Sequence, residues 1–496
     1  MHDNHTPDPD EARAAARSLI PRKIARGVLW ATVTSISAKV ATLVSAVILA
    51  RLLDPSDFGL LALGTALITI SQYATQTGFE SAIIQRQDKP EEFLDAAWTF
   101  ELLRCSILYV VVFAAAPLVG FIFEEPRAVA VIRAVGLTIL LQGLRNIGAV
   151  YFRKHFDFHK QFALEVGPLL LYAPLVVILA LYLRNVWALV WANLAASLLA
   201  CVLTYAMHAY RPRLDFSLNK AARLFHFGKW VLGNSILVMA RDQGTTLFVG
   251  KVLGIPALGF LNRADAFSNS IFQQFQDIAW KVGYPAYSHM QSSPREFKAA
   301  YLKTLHLMTL IGLPMAVGTL VLSGDFVHLI LTDRWLPIVP LMQLLCLQAV
   351  LYFINTPGLV AFQAFGRPAF VATMSLFGLL VLAVVIYPLS SRYGVNGVVG
   401  ALCTSALVPS PFIWGASMRL VGCSFMEWLK PIGCSLISTG AMVIAIVLIK
   451  TYVMIEVDMG EFFGLIGLGV VVYAAATLLI DRSAKQEIAA YLKAAI

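Results

Sequence analysis

The sequence predicts an all-α integral membrane protein of about 14 transmembrane helices: two pseudo-symmetric six-helix lobes followed by two C-terminal helices. Three observations carry this. Apolar runs of membrane-spanning length recur along the chain, Lys and Arg fall mostly on one side of the implied membrane, and the chain resembles itself at an offset of 200 residues. At 58% apolar, 14% charged and a mean hydropathy of +0.74, the composition departs from that of a soluble domain, which carries roughly 25% charged residues.

A helix needs about 20 apolar residues to cross the hydrocarbon core. Runs of that kind lie at 27–49, 57–80, 93–116, 127–150, 162–183, 186–209, 229–252, 257–283, 301–324, 338–362, 369–391, 396–418, 431–453 and 462–481. The polar residues of 257–283 make it the weakest; partial exclusion of such a run would lower the count to 13 or 12. The first 26 residues are polar and end in Arg22, Lys23 and Arg26. No small-residue cleavage site follows the first apolar run, so the expectation is a retained helix. The six cysteines are scattered, without CxxC or Cys/His spacing; they read as small packing residues, and no metal or cofactor is expected.

With the N-terminus inside, inner segments carry 25 Lys and Arg and outer segments carry seven: Arg51, Arg127, Arg184, Lys251, Arg334, Arg392 and Lys450. That bias predicts N-in and C-in. It also accounts for the net charge of +9 through anionic lipid, with no nucleic acid. The expected organisation is a cytoplasmic N-terminal segment (1–26), an N-lobe (27–209), a cytoplasmic linker (210–228), a C-lobe (229–418) and a final helix pair with its tail (419–496). At the offset of 200, Trp30 matches Trp230, Ser35 Ser235, Ile36 Ile236, Leu53 Leu253 and Gly59 Gly259, and Arg51 faces Lys251. Six spans precede the second copy, so the repeats are parallel, a plan that places a substrate path at their interface.

Six basic residues remain inside spans: Lys39, Arg104, Arg133, Arg145, Arg241 and Arg263. Each costs roughly 2.5–3.5 kcal/mol at mid-membrane if it faces lipid. Lys39 and Arg241 are the sharpest, each about twelve residues into the first helix of its half. Two cations meeting across a lobe interface repel unless an anion lies between them; snorkelling or a local salt bridge is the bland alternative. Glu101 and Arg104, spaced i,i+3, can neutralise each other. Arg241–Asp242 and Arg263–Asp265 point in different directions on a helix, so each is expected to find partners elsewhere. Asp242, Asp265 and Glu101 are the candidates for ion coupling, because a desolvated carboxyl holds its proton more tightly. Polar residues near the path, among them Gln76, Asn234, Gln243, Asn269 and Gln273, are candidate sugar contacts or interhelical hydrogen bonders. Prolines 168, 174 and 314 mark expected bends.

The run Ala50-Arg51-Leu52-Leu53-Asp54-Pro55-Ser56-Asp57-Phe58-Gly59, followed by Gly78-Phe79-Glu80-Ser81-Ala82-Ile83-Ile84-Gln85-Arg86, closely resembles the start of bacterial polysaccharide flippases. These belong to the multidrug/oligosaccharidyl-lipid/polysaccharide (MOP) superfamily, in the branch linked to colanic-acid-like exopolysaccharides. Leu331-Thr332-Asp333-Arg334-Trp335-Leu336-Pro337 and Tyr393-Gly394-Val395-Asn396-Gly397 add weaker matches. The resemblance implies two six-helix lobes around a cationic cavity and alternating-access transfer of an undecaprenyl-diphosphate-linked oligosaccharide for exopolysaccharide or lipopolysaccharide biosynthesis. It implies no enzymatic activity, and it implies membrane lipids and a polysaccharide polymerase or export machinery as partners. By position it offers Lys39, Arg51 and Arg263 as cavity cations beside Arg241. Two other readings stay open. One is a cation-coupled drug antiporter of the same superfamily, disfavoured by the basic mid-span excess. The other is a polymerase or ligase, disfavoured by the lack of a sizeable outer loop or a catalytic cluster.

Overall fold

The computed structural model describes residues 41–75, 79, 83, 90–154, 157–218, 239–452 and 457–480. Almost all of them are helical, and there is no strand among the described residues. In chain order the long helices are α1 (41–52), α2 (Pro55–Ala74), α3 (Leu94–Ile122), α4 (Pro126–Gly143), α5 (Phe158–Leu183), α6 (Trp187–Met207) and α7 (239–252). There follow α8 (Ile255–Ile278), α9 (Pro294–Ile330), α10 (Ile338–Ala364), α11 (Pro368–Leu407), α12 (Ser410–Val421), α13 (Phe425–Tyr452) and α14 (Met459–Ile480).

Twelve of the predicted apolar runs each coincide with one of these helices or with its described part, whereas 369–391 lies in α11 and 396–418 covers the end of α11 and most of α12. Nine stretches among the described residues are long and apolar enough to cross a membrane, and one of them, Pro368–Val421, holds two predicted spans. α2 and α8 fall outside the nine, which for α8 reflects the polar residues that made 257–283 the weakest run.

Local chemistry sets the helix ends. Pro126 opens α4 at a position where a missing N–H costs nothing, and the Glu125 side chain accepts from the Arg127 N–H. Asp157 caps α5 by accepting from the Lys160 N–H, and Gly422, at φ 68°, closes α12 in the left-handed conformation. α5 continues through Pro168 and Pro174 and α9 through Pro314, whereas α11 is broken at Gly394, with φ 57° and ψ −134°. A Cβ on Gly397 would stand 2.0 Å from the Leu389 carbonyl oxygen. The Tyr393–Gly397 motif is thus a tight reversal between two spans, with one glycine supplying the conformation and the other the closeness.

Two compact units emerge. One comprises the described parts of Met1–Leu52 and Leu67–Gly233, and the other Leu53–Ala66 with the described parts of Asn234–Ile496. In the first, α3 packs on α4, α5 on α6, and α4 on α6. In the second, α10 is central, packing against α8, α9, α11 and α12, while α13 and α14 join through α9. One apolar cluster gathers Tyr287, from the short helix Tyr284–His289, with Phe297, Tyr301, Val360, Trp428 and Ile432 from α9, α10 and α13.

Within the second unit the starts of α2 and α8 cross at backbone contact. A Cβ on Gly59 would lie 2.1 Å from the Ile255 carbonyl oxygen, and one on Gly259 would lie 1.8 Å from that of Pro55. The two contacts interchange under the 200-residue offset: 59 maps to 259 and 55 to 255. The crossing is therefore a local two-fold, made by the described matching residues of the repeat. Trp335 is fully buried beside it, edge-on to Phe58 at 5.7 Å and to Phe260 at 5.8 Å. Arg334 pairs with Asp54, whose N–H is bound by the Asp57 carboxylate at 3.2 Å in a capping-box arrangement. The matched motifs 50–59 and 331–337 therefore meet in space.

Gly59→Ala and Gly259→Ala should each cost about 1–3 kcal/mol or more, because backbone must give way. Gly244→Ala, with open space around its Cβ position, should be neutral or slightly stabilising. Thermal unfolding of the detergent-purified variants checks this; equal midpoints for all three would refute the backbone crossing.

Candidate functional site

α8 is a two-faced helix. Leu258, Leu261, Ala264, Ser268 and Phe272 are buried, while Asn262, Asp265, Asn269, Gln273 and Gln276 follow each other at three- and four-residue spacing. That spacing places the second set on one side of the helix. Asp265 and Gln273 are exposed, and Asn269 donates from Nδ2 to Asp265 Oδ1 at 2.8 Å. The predicted polar character of this span thus resolves into a continuous stripe.

Arg241 on α7 stands beside it. At 1.5 Å per residue it lies about 16 Å from the far end of α7, and Asp265 lies about 15 Å from the same end of α8, so both sit well inside a core about 30 Å thick. Arg241 Nε pairs with Asp242 Oδ1 at 2.9 Å, and Nη1 donates to the Tyr352 hydroxyl at 3.0 Å. Asp265 feels the charges of Asp242, Arg263 and Arg241, so the four groups form one electrostatic cluster. The expectation that Arg241 and Asp242 diverge and seek separate partners is corrected. The guanidinium is carried on a long flexible stem that folds back to the neighbouring carboxylate, which adjacent Cβ directions do not forbid.

Tyr352 and Gln348, on α10, belong to the candidate site by their contacts, and the sequence reading missed them. Gln348 is 5% exposed; its Nε2 donates to the Tyr352 hydroxyl at 3.3 Å and to the Leu402 carbonyl at 3.0 Å. One turn on, Asn355 donates to Ser410 Oγ at 2.8 Å and accepts from Trp414 Nε1 at 2.7 Å. Gln348, Tyr352 and Asn355 thus form a column at i, i+4 and i+7. This spacing, inside an otherwise apolar run, was the signal that could have found them.

The other predicted residues are dispersed. Arg263 lies over the Phe58 ring at 4.3 Å and donates to Asn262 Oδ1 at 2.7 Å, which ties it to the glycine crossing as well as to the stripe. Arg51 is exposed at the end of α1, in the first unit. Glu101 and Arg104 pair as expected, with Nε to Oε2 at 3.1 Å, and Arg104 also donates to Thr75 Oγ1 at 2.8 Å. Arg133 stacks on Phe113 at 4.3 Å and bonds its carbonyl. Gln243 is half-buried on α7. Lys39, Gln76 and Asn234 lie outside the described residues.

The arrangement offers a charge in the membrane plane without leaving it bare. A guanidinium has five N–H donors; the bonds to Asp242 and Tyr352 use two and leave a planar edge suited to phosphate or carboxylate oxygens. Exposed to hydrocarbon, such a stripe would cost several kcal/mol, so its surroundings must be hydrated or polar.

The fold and this stripe define a multi-pass membrane helix bundle with a charged intramembrane surface. The chain belongs to the family described as polysaccharide biosynthesis protein, whose model matches residues 48–340. Its relatives include the lipopolysaccharide biosynthesis protein WzxC of Escherichia coli K12, 24% identical over 68% of this chain and 68% of that protein. The succinoglycan biosynthesis transport protein ExoT of Rhizobium meliloti is 22% identical over 66% of each. Among solved structures, the lipid II flippase MurJ in its inward closed conformation matches with a TM-score of 0.74 at 14% identity, covering 91% of this chain and 98% of that one. An inward-facing multidrug resistance transporter of the MATE family follows at 0.59, 16% identity, covering 78% and 95%. The likeness to both structures is one of fold.

Gln348→Leu leaves the Tyr352 hydroxyl and the Leu402 carbonyl without this donor and should destabilise by about 1–3 kcal/mol. Gln273→Leu, on the exposed stripe, should stay within about 0.5 kcal/mol. Thermal unfolding of the purified variants compares them, and equal losses would refute the division into supporting column and exposed stripe.

Proposed function

We propose that this protein is a flippase that carries an undecaprenyl-diphosphate-linked oligosaccharide from the inner to the outer leaflet, for exopolysaccharide or lipopolysaccharide biosynthesis. The observation that carries this reading is the Arg241 cluster: a guanidinium deep in the membrane, backed by Tyr352 and facing a stripe of amide side chains. A diphosphate that leaves headgroup water needs fixed cations to replace its solvation. Sugars need hydrogen-bonding amides, and Asn269 and Gln273 supply them. Lys39 is the proposed counterpart of Arg241 in the first half, with Arg263 and Arg51 as further cations along the path. Asp242 and Asp265 are the carboxylates proposed for ion coupling; Glu101, already held by Arg104, fits that role less well.

The biosynthetic relatives and the family support this reading, and so do the paired carboxylates. A site for cationic drugs needs uncompensated acid, whereas Asp242 and Glu101 each carry an arginine. We read the activity as transfer without bond chemistry, rather than polymerisation or ligation, and the relative named as a transport protein supports this. On the charge bias we propose that both termini lie inside, with the 331–337 motif at the outer face.

In vesicles containing a fluorescent lipid-diphosphate oligosaccharide, the protein should expose the glycan to an external glycosidase. Arg241→Ala and Lys39→Ala should each abolish this while leaving membrane insertion intact, and Arg241→Lys should restore only part of it, since a point charge loses the planar fork. Near-normal transfer by both alanine variants would sink the cation proposal; elongation of the glycan without transfer would sink the flippase.

Orientation is tested separately. A cysteine placed at the chain's C-terminal end, in a background of replaced native cysteines, should react with impermeant maleimide only after spheroplasts are opened. Labelling of intact spheroplasts would reverse the assignment.

A further inference from the structure

The segment that follows α6 is an extended strap. Residues 208–217 leave the helix and run along the first turns of α3. The Arg213 N–H donates to Asp95 Oδ1 at 2.9 Å, and the Asp215 N–H to Thr99 Oγ1 at 2.9 Å. Asp95 and Thr99 are separated by about 6 Å along the helix axis, and the two strap residues by about 6.6 Å of extended chain. The strap therefore runs parallel to α3, toward the membrane interior. Ser217 N–H closes on Asp215 Oδ1 at 2.9 Å, the Tyr210 hydroxyl bonds Asp95, and the Tyr210 carbonyl accepts from Asn146 at 2.7 Å.

Alternate residues of an extended chain face opposite ways. With 213, 215 and 217 bonded as described, Leu214, Phe216 and Leu218 point outward, and they are 66%, 63% and 73% exposed. Three large apolar side chains that alternate with polar residues along the strap need a cover. Amides at 213, 215 and 217 are satisfied by side chains and 212 is a proline without an N–H, which lowers the cost of lying at a membrane interface.

Position and charge agree. The apolar helix that begins at Glu91 runs 32 residues to Ile122, about 48 Å, against a core of about 30 Å. Its first turns, where the strap lies, therefore reach the headgroup layer. Exposed Arg211 and Arg213 flank the apolar row.

We propose that this strap is a membrane-interface anchor. Leu214, Phe216 and Leu218 dip into the adjoining leaflet, and Arg211 and Arg213 hold the headgroups of anionic phospholipid. Transport chemistry is not needed for it, so it stands or falls independently of the flippase reading.

The test uses the full chain with native cysteines replaced, Phe216→Cys labelled with bimane, in nanodiscs of phosphatidylethanolamine and phosphatidylglycerol. Quenching by a shallow nitroxide lipid, with little quenching by aqueous iodide, is expected. Strong iodide quenching would place the strap in water, and shielding from both quenchers would place protein over this face; either overturns the proposal. In native mass spectrometry, Arg211→Ala with Arg213→Ala should weaken retention of phosphatidylglycerol by roughly 30-fold, the loss of two near-surface cations. Unchanged retention would also overturn it.

Discussion

Two helices of this protein touch backbone to backbone, and the geometry of the second unit is organised around that contact. Glycine at 59 and 259 removes the two side-chain atoms that would otherwise collide with the carbonyls of Ile255 and Pro55. Around the crossing, Trp335 fills the remaining volume against Phe58 and Phe260. The surface pair Arg334–Asp54, half-exposed or more, adds position more than stability, since exposed ion pairs contribute about 0–1 kcal/mol. Once α8 is fixed at its start, its buried face is committed. Asp265, Asn269 and Gln273 then have only one direction left in which to point.

The charges inside the membrane are managed by neutralisation close to home. Arg241 takes Asp242 and Arg104 takes Glu101, so neither cation depends on a distant partner. What differs is the backing. Arg241 also reaches Tyr352, which Gln348 ties to the backbone of α11. A hydroxyl held from behind orients the guanidinium without consuming its charge. Such support is what separates a charge that binds from one that merely survives burial.

Much of this was legible from residues alone. The apolar runs found the helices, and the i,i+3 spacing of Glu101 and Arg104 found their ion pair. Of the four matched stretches, 78–86 lies mostly outside the described residues, and the structure gives the other three a structural role: a backbone crossing at 50–59, its filler at 331–337 and a reversal at 393–397. The cluster's chemistry lies elsewhere, on α7, α8 and α10. Tyr352 and Gln348 escaped notice because two polar residues in a long apolar helix do not disturb its hydropathy. Arg241 and Asp242 were set apart by their Cβ directions, yet the length of an arginine side chain outweighs that rule.

The sequence by itself determined the membrane class and where the apolar helices lie, and it carries the charge bias and the 200-residue self-resemblance. All of these follow from local composition and spacing, because solvation by lipid or water acts on each segment independently. The tertiary structure decided which residues of the repeat meet, which carboxylate neutralises which cation, and which face of α8 is polar. Those outcomes rest on contacts between residues up to about 280 positions apart, as between Asp54 and Arg334, where shape and side-chain reach, rather than hydropathy, select the partner.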